Sequence, residues 1–126
     1  MVHYENLPLY KATLDLAVYF EKIVKQFDRY HKYTLGTDLR NKSREIATQV
    51  MRANATNKEA DKEELVARIE ELKLLIRLCK EAKGFANFNS YTYASKLIAN
   101  ISTKADIWLS HSQKRDRQSS PRTAEV

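Results

Sequence analysis

The chain alternates between stretches with an apolar residue every three or four positions and short polar stretches that break this spacing. The first periodic stretch holds Leu9, Ala12, Leu16, Tyr19, Phe20, Ile23, Val24, Phe27 and Tyr30. Such steps return to one side of a helix, so the spacing predicts a helix from about Pro8 to Tyr30. Pro8 suits the first turn, where its missing N–H is not needed. Leu14, Ala17 and Val18 widen the apolar face beyond what one neighbour covers. The segment Asp28-Arg29-Tyr30-His31-Lys32-Tyr33 interrupts the spacing and reads as the first connection. A second helix is predicted from Thr34 to about Asn57. Leu35, Leu39, Ile46, Ala47, Val50, Met51 and Ala53 form its buried stripe, and Arg40, Lys42, Arg44 and Arg52 its other face. Gly36 falls in its first turn, where a small residue allows close approach.

Asn54 to Asn57 makes the second connection, with Asn57 placed to cap the helix that follows. Asp61, Glu63 and Glu64 stand early in that third helix, where its dipole favours acids. Leu65, Ile69, Leu72, Ile76 and Cys79 then repeat at the seam spacing of packed helices. Leu74, Leu75 and Leu78 add a second stripe. The pattern stops near Lys83-Gly84, with Gly84 as the expected C-terminal stop. After a connection from Phe85 to Ser90, a fourth helix is predicted over Tyr91–Ser110, through Ala94, Leu97, Ile98, Ile101, Ala105, Trp108 and Leu109. From Gln113 onward almost nothing apolar remains, and residues 113–126 read as a basic, mobile tail carrying Lys114, Arg115, Arg117 and Arg122. Four helices with short links bury their stripes most simply as an antiparallel up-down-up-down bundle over residues 1–112. The surplus apolar surface on the first and third helices predicts a homo-oligomer.

Composition narrows the class. With 126 residues, 43% hydrophobic and 30% charged, the chain reads as one folded domain. Two glycines and two prolines are too few for the turns of an all-β fold. Glycine-rich phosphate loops are excluded by their absent motifs. A lone cysteine, Cys79, cannot form an internal disulfide, so the cytoplasm is the expected compartment. No signal peptide is expected from MVHYENLPLY, and no stretch is long and apolar enough for a membrane span. The net charge is +6, made of +3 over residues 1–57, zero over 58–89 and +3 over 90–126. That excess suits an anionic partner, and equally suits mere solubility.

Reactive constellations are sparse. Iron-carboxylate bundles need paired Glu-x-x-His motifs, and the nearest approach, Asp28-x-x-His31, occurs once and in a connection. The Arg-then-His signature of the helical HEPN-family RNases is missing, because no histidine has an arginine at the required distance before it. Cys79 lies on a core stripe and reads as a small hydrophobe. His3 and His111 lie at ends and read as solvated. No nucleophile–base pair can be named, so no catalytic residue, metal or cofactor is expected. Arg29-Tyr30-His31-Lys32-Tyr33 interleaves cations with aromatics, a mixture that can neutralise phosphates and stack bases. The competing reading is a polar loop whose tyrosines fold onto the core. Arg40 and Arg44, four apart, share a helix face, which can equally be an ordinary solvated one. Arg77 sits between two apolar stripes and calls for a partner, either a carboxylate in the bundle or a group across a subunit boundary. Trp108 reads as core.

The run from Phe27-Asp28-Arg29-Tyr30-His31-Lys32-Tyr33-Thr34-Leu35-Gly36 through Ala53-Asn54 resembles the first link and second helix of the four-helix-bundle accessory variability determinant (Avd) proteins of diversity-generating retroelements. Leu72-Lys73-Leu74-Leu75-Ile76-Arg77-Leu78 resembles that family's third-helix signature, and Ile107-Trp108-Leu109 the end of its fourth helix. The likeness spans about residues 7–110. Two family features are missing, a proline near Asp28 and glycines before the tryptophan. The related bundle proteins encoded in intervening sequences of bacterial 23S ribosomal RNA genes are the nearest competing family. The resemblance implies a homopentameric barrel with a basic exterior. It further implies binding of RNA or DNA and of the element's reverse transcriptase, in support of mutagenic copying, with no active site of its own. Carried onto this chain, Gly36, Arg77 and Trp108 would be structural or interface positions. Arg29, Lys32, Arg40 and Arg44, with Lys114, Arg115 and Arg117 of the tail, are the candidates for phosphate contact on charge and placement. The rival readings are a protein-interaction scaffold whose charge serves solubility, and an RNase dependent on His31.

Overall fold

The computed structural model describes residues 7–119, and these are helical with short connections. The elements are α1 (Leu7–Val24), α2 (Arg29–Lys32), α3 (Leu35–Thr56), α4 (Glu59–Glu81) and α5 (Phe88–Ser119). The four long helices pack as a ring of neighbours, α1 on α3, α3 on α4, α4 on α5 and α5 on α1. Contacts between them run in opposite directions along the chain. Lys42 meets Glu71 while Arg68 meets Glu45, and Lys62 meets Ser112 while Lys80 faces Tyr91. The bundle is therefore antiparallel, and α1 and α4 occupy diagonal corners. Among the described residues, no helix is long and apolar enough to cross a membrane.

The core follows the predicted stripes. Leu16 and Phe20 of α1, Leu39, Ile46 and Val50 of α3, Leu65, Ile69 and Leu72 of α4, and Ile101 of α5 are fully buried. Burial of each large aliphatic or aromatic side chain stabilises the fold by about 1.5–3 kcal/mol. Met51, assigned to the buried stripe of the second helix, is instead exposed. It follows Val50, and the turn of the helix carries it out of the seam.

Element ends differ from expectation in physically informative ways. α1 stops at Val24 rather than Tyr30. Gln26 and Phe27 donate N–H groups back to Ile23 and Val24, which turns the chain and sends Phe27 into the core. Asp28 then starts a new helix, its Oδ1 accepting the His31 N–H at 3.0 Å. The apolar spacing thus recorded burial of Phe27 but not continuity of the helix. Asn57 does not cap the start of α4. It ends α3 in the left-handed conformation, with φ 54°, and Lys58 is the N-cap of α4. The left-handed residue after α4 is Lys83, φ 63°, and not Gly84. Gly84 matters for space, because a Cβ there would lie 2.7 Å from Cys79 Sγ. Gly36 has a similar reason: its Cβ would lie 2.6 Å from Val24 Cγ1 and 3.1 Å from the His31 carbonyl oxygen.

α5 begins earlier and ends later than predicted. Asn87 Oδ1 accepts the Ser90 N–H at 2.8 Å, which satisfies a first-turn donor. At the far end the helix runs through Gln113 to Ser119, so Lys114, Arg115 and Arg117 stand on a helix and not in a structureless tail. Buried Ser112 anchors this turn, and the Gln, Lys and Arg that follow are good helix formers. Arg122 and the rest of the predicted tail, 120–126, lie outside the described residues.

Candidate nucleic-acid interface

The connections between α1 and α3 and between α4 and α5 meet at one end of the bundle. Phe27 and Phe85 stack edge-on with centroids 5.6 Å apart. His31 backs onto Gly84, whose Cβ position lies 3.7 Å from His31 Cβ. This junction fixes α2 on the bundle. Within the turn, the N-cap Asp28 orients the His31 ring, with Oδ2 at 2.8 Å from His31 Nδ1. Hydrogen bonds from the His31 backbone N–H and ring keep the Asp28 carboxyl below its ordinary range.

Four residues of α2 and its cap face outward as a consequence. With about 100° of rotation per helical residue, Lys32, Arg29, Tyr33 and Tyr30 share one half of the turn and His31 the other. Tyr30 is 74% exposed and Tyr33 69% exposed. The reading in which the tyrosines fold onto the core is therefore wrong. Their neighbourhood is too small for burial, because α2 is a single turn with no buried residue of its own. Arg29 is exposed and Lys32 half-buried, and neither forms an ion pair among the described residues. Lys25, just after α1, and Lys83, beside Gly84, add two exposed cations to the same end. Phe88, at the start of α5, adds a third exposed ring. Sequence reasoning passed over Lys25 and Lys83. The available signal was their position at helix ends that share one pole of an antiparallel bundle.

Arg40 and Arg44 stand differently. They share a face, as their spacing requires, but both reach Glu21 on α1. Arg40 Nε is 2.9 Å from Glu21 Oε1, and Arg44 Nη2 is 2.6 Å from Glu21 Oε2. Burial alone would raise the Glu21 carboxyl; hydrogen bonds and charge from Arg44 and Arg40 outweigh it and lower it. The two arginines thus share one compensating acid, and their net contribution to a phosphate surface is reduced. Lys42 is likewise committed across α3 and α4, to Glu71 at 2.8 Å, and Arg68 to Glu45 at 2.7 Å. Arg77 is exposed despite its place between two apolar stripes; its Nε lies 2.9 Å from Oε2 of Glu81, one turn along α4, an exposed pair on one helix and not a carboxylate inside the bundle.

At the opposite pole Lys62 is wholly buried. Its Nζ donates to Asn57 Oδ1 at 2.8 Å and Ser112 Oγ at 3.1 Å, and stands 5.0 Å from the Trp108 ring centroid. Trp108 is a buried core residue. Lys62 was not singled out from the sequence, although it extends the seam of Leu65 and Ile69 by one step. A lysine in that register is read as solvated unless its partners are known. Burial pushes the Cys79 thiol up to about 12, so it stays protonated near neutral pH. Among the described residues, no group of three or more His, Cys, Asp or Glu side chains could hold a metal ion.

No family model matches the chain, and comparisons with curated proteins and with solved structures return no match.

Proposed function

We propose that this protein is a non-catalytic accessory protein that binds nucleic acid through the α2 pole of its bundle. One observation carries the reading: Arg29 and Lys32 stand without ion pairs among the described residues, beside two outward tyrosines on a turn that is seated against Gly84 and closed by its own N-cap, Asp28. Counting Lys25 and Lys83, each protomer offers four cations for phosphate. Each displaced counterion steepens the salt dependence by about 0.7 on a single strand, so log affinity falls with log salt at a slope near −3.

Self-association is part of this proposal. Leu14 and Val18 form an exposed apolar stripe on α1, and Leu74 and Leu78 form another on α4. These helices are diagonal, so the stripes lie on opposite faces. Two different faces that dock on each other form a heterologous contact, which closes into a ring where the rotation between neighbours closes and runs on as a filament where it does not; we propose the closed form. A ring of cyclic symmetry sets every α2 pole on one rim and multiplies the cationic surface. The sequence resemblance to Avd proteins supports the finer reading. In it the ring is a pentamer, acts in the cytoplasm without a cofactor, and serves a reverse transcriptase that copies a template repeat of a diversity-generating retroelement.

The test is fluorescence anisotropy of labelled RNA and DNA across a salt series, with light scattering of the same sample. Micromolar or tighter binding in dilute buffer, lost steeply with salt and weakened by Arg29→Ala/Lys32→Ala, is expected. Absence of binding in dilute buffer refutes the reading. It would favour a scaffold without nucleic-acid contact, which the pinning of Arg40 and Arg44 by Glu21 supports as the second reading. Pull-down of neighbouring gene products with and without nuclease separates the two directly.

A further inference from the structure

We infer that the α2 pole selects single-stranded over duplex nucleic acid, with Tyr30 and Tyr33 as stacking platforms for exposed bases; this rests on the nucleic-acid reading above. A purely electrostatic site has no use for exposed aromatic rings. Here two of them project from a single turn, 74% and 69% exposed, and Phe88 at the same pole is 67% exposed. The rings are held at their base. The Tyr30 ring meets the His31 ring edge-on at 5.2 Å, and His31 is fixed by Asp28 and Gly84. The Thr34 hydroxyl donates to the Tyr30 carbonyl oxygen at 2.8 Å, which ties the end of the turn to its start.

The order of residues around the turn completes the argument. Tyr33 falls between Arg29 and Tyr30, and Lys32 flanks Arg29 on the far side. Phosphate-contacting cations thus border the rings along one edge. A single strand can lay its phosphates along that edge and turn its bases onto the rings. A duplex cannot, because its base faces are already stacked on one another and only base edges and the sugar-phosphate backbone are presented. The platform carries no hydrogen-bonding code, so it is tolerant of base and of sugar.

The full-length protein is titrated against one mixed sequence supplied as RNA strand, DNA strand and duplex. The expected result is binding of both single strands at least about tenfold tighter than the duplex, in the range of one or two stacked bases. Tyr30→Leu/Tyr33→Leu removes that preference and leaves the salt slope unchanged, whereas Tyr30→Phe/Tyr33→Phe retains it. Arg29→Ala/Lys32→Ala lowers the slope by about 1.4 on a single strand. Circular dichroism checks that the variants fold, as the exposure of Arg29, Tyr30 and Tyr33 and the half-buried position of Lys32 on a turn without buried residues lead one to expect. Equal affinity for strand and duplex, or no loss in the leucine variant, overturns the inference while leaving nucleic-acid binding standing. A preference above tenfold for one sugar overturns stacking as the main source of selectivity. Absence of all binding at low salt overturns both readings together.

Discussion

Gly36→Ala tests how α2 is seated. Alanine is the better helix former, and in an unobstructed α3 it would stabilise by about 1 kcal/mol. Here the new Cβ would lie 2.6 Å from Val24 Cγ1 and 3.1 Å from the His31 carbonyl oxygen. Carbon atoms pack at roughly 3.5–4.0 Å, so the methyl intrudes by about an ångström. Val24 is 3% exposed and branched at Cβ, so it cannot rotate out of the way. Overpacking of this kind costs about 1–3 kcal/mol, and the upper half of that range applies. The net expectation is a loss of about 1–2 kcal/mol. Urea melts followed at the helical circular dichroism band, at one fixed protein concentration, read this as a lower midpoint with an unchanged slope. The decisive arm is the double variant. Val24→Ala alone costs about 2 kcal/mol in lost burial, but in that background Gly36→Ala becomes neutral or stabilising. A coupling of about 1–3 kcal/mol results. Gly36→Ala as stable as the parent, or additivity in the double variant, refutes the crowded-contact reasoning. Under the proposed function the variant also weakens nucleic-acid binding, because His31 and the turn carrying Arg29 and Tyr30 move with the obstruction.

Four further outcomes follow from burial and charge. Leu72→Ala, at a fully buried seam position, costs about 2–5 kcal/mol by chemical denaturation. By contrast Leu74→Glu/Leu78→Glu, at positions 72% and 50% exposed, leaves monomer folding intact and abolishes the proposed self-association on light scattering. Asp28 has a depressed carboxyl, so its stabilising effect is present above its unfolded value near ~4 and is lost as pH falls through the depressed one. Asp28→Asn should therefore flatten the acid limb of a pH–stability curve and leave the neutral limb parallel to the parent. Cys79 should resist thiol reagents at pH 8 and react at the rate of global unfolding, since its thiol is buried and pushed up to about 12; rapid labelling of the native protein would contradict that environment.

The spacing of apolar residues by itself determined the number of long helices and nearly all of the core. That follows because period and burial are the same fact on an amphipathic helix: Leu65, Ile69, Leu72, Ile76 and Cys79 could be buried together only on one side of α4. The sequence also placed the mixed cation–aromatic run in a connection. What it could not give was direction and company. Tyr30 fits the apolar period of α1, yet the chain turns at Gln26 and Phe27, and the tyrosine emerges into solvent. Arg40 and Arg44 look like free cations until the packing of α1 on α3 brings Glu21 between them. Lys62 looks solvated until Asn57, Ser112 and Trp108 close around it. Each of these outcomes depends on groups far apart in the chain, whose distances are set only once the helices pack. Local pattern carries which face is apolar, whereas compensation of charge is a property of the assembled bundle.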